Sequence, residues 1–295
     1  MGGSITQEGS ITQEHEHVES SRIDGGLEEL EIRLLLEGIY RQYGFDFREY
    51  ALSSLRRRIL SVVHTEKLET ISRLQERVLH DPACFERLLL RLTVHVTSMF
   101  RDPSFYLAFR EKIVPRLKTY PFVRIWHAGC SSGEEVYSMA ILLSEEGLYK
   151  RCRLYATDIS ETVLKGAKAG LFPVSVMREY TENYQRAGGK LAFSDYYSAR
   201  YDNALFRPDL QENIVFAQHN LVTDAPFNDF NVIICRNVMI YFNAELQERV
   251  HRLLYTSLGR LGVLGVGRKE SLRFTPYEGC YDEIDAAERL YRKVQ

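Results

Sequence analysis

Four short segments of this 295-residue chain carry residue types that can hold a small molecule with both charges and hydroxyls. The first is Arg124-Ile125-Trp126-His127-Ala128-Gly129-Cys130-Ser131-Ser132-Gly133-Glu134-Glu135. An apolar, strand-like run stops at Gly129, small residues follow, and two acids open a helical pattern. Strand, tight turn and helix form the usual opening of a cofactor site in an α/β sheet, and glycine lets a ligand approach the backbone closely. The second is Ala156-Thr157-Asp158-Ile159-Ser160, an acid directly after a strand and one βα unit downstream. A carboxylate there can accept hydrogen bonds from both hydroxyls of a ribose. The third is His219-Asn220-Leu221, and the fourth is Cys235-Arg236-Asn237-Val238-Met239-Ile240-Tyr241. Each follows a strand pattern, so all four fall where open α/β sheets bind ligands.

The acids choose among ligands. Glu134 and Glu135 at a helix N-terminus would compete with a phosphate for the positive end of the dipole. A nucleoside without a diphosphate fits better, with Glu134 facing an α-ammonium group and Asp158 taking the ribose. Small loop, acid and polar loop in this order make the layout of a Rossmann-like methyltransferase that binds S-adenosylmethionine. Gly129, Ser131 and Gly133 also spell G-x-S-x-G, the nucleophile elbow of a hydrolase. That chemistry needs a histidine in a late loop. The later histidines are His219 and His251, neither near the C-terminus, and His251 lies in a helical pattern. A methyltransferase acting on nucleic acid is disfavoured too. The Asn/Asp-Pro-Pro-Tyr loop is missing, no long basic stripe occurs, and net charge is −2.

The elements that must position these loops fall into two classes. Residues 27–97 carry helical periodicity, with Leu30, Leu34, Leu35, Ile39 and Tyr43 on one face and Leu52, Leu55, Ile59, Leu60 and Val63 on another. Ile71, Leu74 and Val78, then Phe85, Leu88, Leu89 and Leu92, continue it, and Asp81-Pro82 reads as a helix start. This predicts an all-helical N-terminal domain. Residues 98–123 read as a linker helix. From 124 to 295 strands at 124–128, 152–157, 230–236 and 261–266 alternate with helices at 133–146, 160–168 and 244–258, and a last strand lies in 288–294. Such alternation implies a parallel sheet with right-handed crossovers. The fold class is therefore α/β, a small helical domain followed by a Rossmann-like domain. The Tyr- and Phe-rich stretch at about 191–217 interrupts it as an antiparallel β-subdomain insert. Residues 1–26 are polar and repeat Gly-Ser-Ile-Thr-Gln-Glu at 3–8 and 9–14, which reads as a disordered tail.

Five scattered cysteines with no C-x-x-C argue for reduced thiols, and no metal site is expected. No run is long and apolar enough for a membrane span, and no signal peptide opens the chain, so a cytoplasmic monomer is expected.

Taken together the motifs resemble those of the CheR-type methyltransferases, which methylate glutamates on bacterial chemoreceptors. The resemblance covers about 27–295. It rests on Thr97-Ser98-Met99-Phe100-Arg101-Asp102, Gly133-Glu134-Glu135-Val136-Tyr137-Ser138, Thr157-Asp158-Ile159 and Cys235-Arg236-Asn237-Val238-Met239-Ile240-Tyr241-Phe242. It implies S-adenosylmethionine as cofactor, bound between a helical and a Rossmann-like domain, with S-adenosylhomocysteine as product. It also implies that Thr97 and Arg101 reach the cofactor from the interdomain linker. Glu134 would meet its methionine part and Asp158 its ribose, Asn220 and Leu221 would line the adenosine pocket, and Ala128, Gly129 and Ile159 would also bind the cofactor. Arg236 and Asn237 would shape the floor. Tyr241 would lie with Arg101 beside the transferred methyl as the catalytic pair. A scaffold that binds the ligand without turnover is the alternative reading. The expected partner is the acidic helical methylation region of a chemoreceptor-like protein, met by Arg56, Arg57 and Arg58 together with Arg48, with no nucleic acid and no membrane insertion.

The pattern breaks in two places. Residues 193–201 lack the glycines of a peptide-gripping loop and carry Tyr196, Tyr197 and Tyr201, expected to pack inward. This implies recognition without a tethering peptide. Gly267-Arg268-Lys269-Glu270-Ser271-Leu272 replaces the family's Gly-His-Ser-Glu, so no cofactor contact is expected from that loop, and the pathway can be chemosensory-like rather than chemotaxis itself.

Overall fold

The computed structural model describes residues 11–93, 97–273 and 275–295, with side chains from residue 26 onward. The chain divides into two compact units, Met1–Thr93 and Val94–Gln295. In the first, α1 (Ile11–Tyr43), α2 (Leu52–Thr65), α3 (Ile71–His80) and α4 (Pro82–Leu92) confirm the helical reading. Thr70 caps α3 by accepting the Arg73 N–H at 3.2 Å. Asp81 caps α4 by accepting the Ala83 N–H at 3.0 Å, with Pro82 in the first turn as the sequence signalled.

Two expectations fail here. The segment assigned to a disordered tail is helical from Ile11, and residues 1–10 lie outside the described residues. Gln13, Glu14, Glu16, Glu19 and Arg22 are unbranched helix formers, and extending a nucleated helix costs far less than starting one. The buried face of α1 is Ile32, Leu35, Leu36 and Ile39, whereas Leu30 and Leu34 are about half exposed. Five leucines and isoleucines within the eight residues 32–39 allow two overlapping faces, and periodicity alone does not choose between them.

The second unit begins with what was read as a linker. It is core. α5 (Pro103–Ala108), a π-turn (Phe109–Ile113) and α6 (Val114–Leu117) bury Phe105, Tyr106, Phe109, Ile113 and Leu117. Pro115 has no N–H for the Glu111 carbonyl, which accounts for the widened turn just before it.

The chain then runs β1 (Val123–Ala128), α7 (Glu134–Glu145), β2 (Cys152–Asp158) and α8 (Glu161–Ala169). After β3 (Leu171–Pro173), α9 (Met177–Arg186), β4 (Tyr197–Arg200) and β5 (Asn203–Phe206) it returns through β6 (Ile214–Gln218). It closes with β7 (Phe230–Cys235), α10 (Ala244–Ser257), β8 (Leu258–Val266), β9 (Tyr281–Asp285) and β10 (Leu290–Lys293). The sheet order is β6-β2-β1-β7-β8-β10-β9. The first five strands are parallel and the last two antiparallel, with Ile125 facing Leu154 on one side and Val232 on the other. Successive crossovers go left from β1 and right from β7, so the topological switch lies between those two strands, and open α/β sheets bind ligands at the C-terminal ends beside such a switch.

The β-subdomain exists but is placed differently from the sequence reading. Its three antiparallel strands are ordered β3-β5-β4, so it begins at Leu171, and Ile214–Gln218 belongs to the main sheet. Helix α9 was missed because its sequence is mostly polar; only Met177, Tyr180 and Tyr184 are buried, at helical spacing. The subdomain is tied to α7 through Glu145, whose carboxylate accepts from the hydroxyls of Tyr184 and Tyr196, the Lys190 N–H and the Arg110 guanidinium. Burial pushes Glu145 up, yet these donors together hold it below the usual carboxylate range. Tyr196 packs as expected and Tyr197 is half-buried, but Tyr201 stands almost fully exposed at the β4–β5 turn with φ +52°.

Among the described residues no helix is long and apolar enough to cross a membrane. His251 on α10 is buried with its Nδ1 unpartnered, and desolvation pushes its pKa down from 6.5 to about 4. The unfolded chain therefore binds the extra proton first. Stability should fall as pH drops from about 6.5 to about 4, by roughly 3 kcal/mol from this residue. Urea unfolding across that range should show the loss, and His251→Gln should flatten that part of the profile.

Candidate active site

The site is built from loops at the carboxyl ends of β1, β2, β6 and β7, together with Thr97–Asp102, all within the second unit. Gly129 ends β1 with φ +81°, and a Cβ there would lie 2.6 Å from Val238 Cγ2, so only glycine lets the first loop lie against the fourth. The N–H groups of Gly129 and Cys130 both donate to the Thr157 carbonyl, at 2.9 and 2.8 Å. Beneath them Trp126 Nε1 donates to Thr157 Oγ1 at 2.8 Å.

Asp158 ends β2 buried, and its two oxygens accept the N–H groups of Ser131 (2.9 Å) and Ser160 (3.1 Å). The cap of α8 is Ser160, which accepts from Val163 at 3.4 Å, so Asp158 is not spent as a helix cap. A carboxylate has about four acceptor positions, which leaves Asp158 two for other donors. Ile159 is half-buried beside it.

The two acids at the start of α7 point to different surroundings. Glu134 is 6% exposed and accepts from Ser132 Oγ at 2.7 Å and Tyr180 OH at 3.3 Å. Burial raises its pKa, with the two hydroxyls offsetting part of the effect. Among the described residues it has no ion pair. Glu135 is pulled the other way. Burial would raise it, but His127 Nδ1 at 2.9 Å and Arg236 Nη1 at 3.5 Å bring it below the usual range.

The third loop closes on itself. Asn220 Oδ1 accepts the Val222 N–H at 3.0 Å, its own N–H donates to Asp224 Oδ2 at 2.8 Å, and Leu221 is nearly buried. The His219 N–H donates to the Asp158 carbonyl at 3.1 Å, which sets this loop against the second.

The fourth loop hangs on a residue the sequence reading passed over. Glu270, buried after β8, accepts N–H groups from Asn237 (2.9 Å), Val238 (2.8 Å), Met239 (2.7 Å) and Gly267 (2.5 Å). Desolvation still wins over these four donors and raises its pKa. The expectation that this loop makes no cofactor contact stands beside a different job for it: Glu270 shapes the turn that carries Asn237 (φ +61°) and the half-buried Tyr241. The available signal was an acid three residues past a glycine at a strand end.

Arg101 sits in the turn Ser98–Arg101, closed by its N–H to the Ser98 carbonyl at 3.2 Å. Helix α9 holds this segment. Ser98 Oγ donates to Glu179 at 2.7 Å, and Asn183 Nδ2 donates to the Met99 carbonyl at 3.2 Å. Thr97 is half-buried at its start. Arg236 is committed to protein partners, with Nη2 on Asp102 Oδ2 at 2.6 Å and its guanidinium 4.2 Å over the Phe105 ring.

The structure thus gathers Thr97, Arg101, Ala128, Gly129, Glu134, Asp158, Ile159, Asn220, Leu221, Arg236, Asn237 and Tyr241 within one unit. It divides the basic trio. Arg56 pairs with Glu28, Arg58 donates to the Leu92 carbonyl at the end of α4, and Arg57 remains exposed. Arg48 pairs with Asp46 at 2.8 Å and Glu37 at 3.0 Å.

Residues 95–282 match the family described as CheR methyltransferase, SAM binding domain, and residues 30–93 match its all-alpha domain. The chain belongs to the CheR methyltransferase family. A Pseudomonas putida protein named methyltransferase Cher3 is 49% identical over 265 residues, covering 90% of this chain and 97% of that one. The chemotaxis protein methyltransferase of Listeria monocytogenes is 30% identical over 236 residues, covering 79% and 87%. Chemotaxis protein methyltransferase Cher2 of Pseudomonas putida is 26% identical over 266 residues, covering 85% and 93%.

This CheR-type chain is a methyltransferase that uses S-adenosylmethionine. The residues present fit that cofactor. Glu134 is a buried carboxylate that accepts from two hydroxyls and, among the described residues, has no ion pair, which suits it to an ammonium. Asp158 keeps acceptor capacity for a diol, and Gly129 keeps the backbone bare between them.

Replacing Glu270 tests the fourth loop. A glutamine would turn an NH₂ toward backbone donors, so Glu270→Gln should lose about 1–3 kcal/mol of stability and weaken S-adenosylhomocysteine binding. Thermal melts and titration calorimetry check both, and unchanged binding would remove this loop from the site.

Proposed function

We propose that this enzyme transfers a methyl group to glutamate side-chain carboxylates of a chemoreceptor-like protein, giving glutamyl methyl esters. The observation that carries the reading is the cationic Arg101, held on a constrained turn within the same unit as Glu134, Asp158 and Tyr241. A substrate carboxylate is ionised near neutral pH, so no general base is needed. The remaining task is alignment, which can lower a barrier by roughly 7–11 kcal/mol.

S-adenosylmethionine, when bound, supplies an electrophilic methyl on a sulfonium. In this reading Glu134 accepts its ammonium and Asp158 its ribose hydroxyls, while Asn220, Leu221 and Asn237 enclose the nucleoside. Arg101 holds the incoming carboxylate by a charge-assisted hydrogen bond, and the Tyr241 hydroxyl orients it. The partner is an acidic helical segment. Arg57, exposed on α2, and Arg56, exposed though paired with Glu28, are the side chains of the basic trio best placed to steer it. The cell compartment in this reading is the cytoplasm. The chain is nearer in sequence to Pseudomonas putida Cher3 than to that organism's chemotaxis enzyme Cher2. This favours a receptor outside the main chemotaxis pathway.

Methyl esters of glutamate are labile to base. Tritiated S-adenosylmethionine and membranes from cells lacking this gene should yield protein-bound label that mild alkali releases as methanol; alkali-stable label would rule out esters. Tyr241→Phe should keep S-adenosylhomocysteine affinity and lose turnover, and retention of full rate would remove Tyr241 from the chemistry.

The pH dependence of binding follows from Glu134. An ammonium pairs with its carboxylate form, so the binding contribution is present above the raised pKa and lost as pH falls through it. S-adenosylhomocysteine should therefore raise the melting temperature more at about pH 7.5 than at about pH 5. Glu134→Gln should erase the difference.

A further inference from the structure

We infer that Arg236 and Asp102 are positioning residues that act on the reaction through Arg101, clamping the turn that presents it. The inference rests on the proposed role of Arg101 and assigns Arg236 to the protein's own backbone rather than to the cofactor.

Three observations converge. First, Arg101 is flanked by two residues in the left-handed region, Phe100 at φ +51° and Asp102 at φ +57°. Neither is glycine, and such backbone persists only where surrounding contacts over-determine it. Second, both flanks are anchored. The Phe100 N–H donates to Ser138 Oγ at 2.9 Å, and its ring packs on Tyr106 (5.0 Å) and Tyr184 (5.2 Å). Asp102 receives Arg236 Nη2 at 2.6 Å, while Arg236 Nη1 donates to the Arg101 carbonyl at 3.4 Å. One guanidinium thus grips the turn at two points immediately after the Arg101 Cα.

Third, that guanidinium is itself fixed from behind. Its side chain is 2% exposed, lies over the Phe105 ring and meets Glu135, which is tied in turn to His127. Arg268 adds a second strut, donating to Ser104 Oγ at 2.6 Å and pairing with Glu288. The Gly-Arg-Lys-Glu departure from the family pattern therefore places a cation against the first turn of α5, which directly follows that turn. The chain from His127 through Glu135 and Arg236 to Asp102 links β1, α7, β7 and the Arg101 turn. The backbone on either side of Arg101 is thereby set.

A positioning role predicts coupling, which a general loss of stability does not. Methyl incorporation is measured with tritiated S-adenosylmethionine and membranes from cells lacking the gene, using the full chain. Asp102→Asn is near-isosteric at a partly exposed site, and its fold is checked by its melting curve. In the native background it should slow methyl transfer about tenfold or more, and in an Arg101→Ala background by no more than about twofold. Arg101→Lys serves as the background if alanine leaves no measurable rate, and Arg236→Lys should repeat the Asp102→Asn pattern. Equal losses in both backgrounds, or no loss in the native one, would overturn the clamp while leaving Arg101 itself in place. Full activity of Arg101→Ala would overturn the reading of Arg101, and the clamp with it.

Discussion

Where a parallel strand ends, its N–H groups lose their ladder partners, and in a buried crevice each must find another acceptor. This chain meets that constraint with two carboxylates. Asp158 gathers Ser131 and Ser160, and Glu270 gathers Asn237, Val238, Met239 and Gly267. Loops that would otherwise be free to rearrange are thereby held to within a hydrogen bond's tolerance. The glycine at 129 belongs to the same solution, because the first and fourth loops touch at a point where a side chain would collide. The backbone of these loops is thus placed by hydrogen bonds to two carboxylates, and the functional side chains start from that backbone.

The charges behind the site follow a second logic. A buried ion is tolerated when partners compensate its lost hydration. Glu135 has His127 and Arg236, and its proton affinity is lowered despite burial. Glu134, one residue earlier, has hydroxyl donors and, among the described residues, no cationic partner, and its proton affinity is raised by burial. The contrast separates a structural acid from one suited to an incoming cation. It also explains how an arginine inside a loop motif can serve architecture, its two terminal nitrogens directed to Asp102 and Glu135 and its plane laid on the face of Phe105.

Much of this was legible in the sequence because the informative residues lie at strand ends. The four main parallel strands and the helices after them fall within a few residues of their expected places, and the loops after them carry the anticipated acids. What escaped was whatever depends on partners distant in the chain. Helix α9 is too polar to announce itself, yet it supports Glu134 through Tyr180 and the Arg101 turn through Glu179 and Asn183. The edge strand β9 reads Tyr-Asp-Glu-Ile-Asp, a composition that suits a loop equally well. Glu270 was noted as part of a broken motif, and its meaning appears only with four N–H groups around it. The basic trio on α2 looked uniform because sequence does not show that Arg56 and Arg58 are occupied nearby.

Adjacent helical positions point about 100° apart, which is what lets Glu134 and Glu135 meet different surroundings at the α7 terminus. Their division of labour is set by the count of residues between Gly129, pinned against Val238, and the first turn of the helix. Adding or removing one residue there would rotate the pair by that angle. The acid now gripping His127 and Arg236 would swing away from them, and its neighbour would leave Ser132 and Tyr180. Evolution can therefore vary the letters of this loop far more freely than its length. An insertion or deletion of a single codon would be more damaging than most substitutions within it.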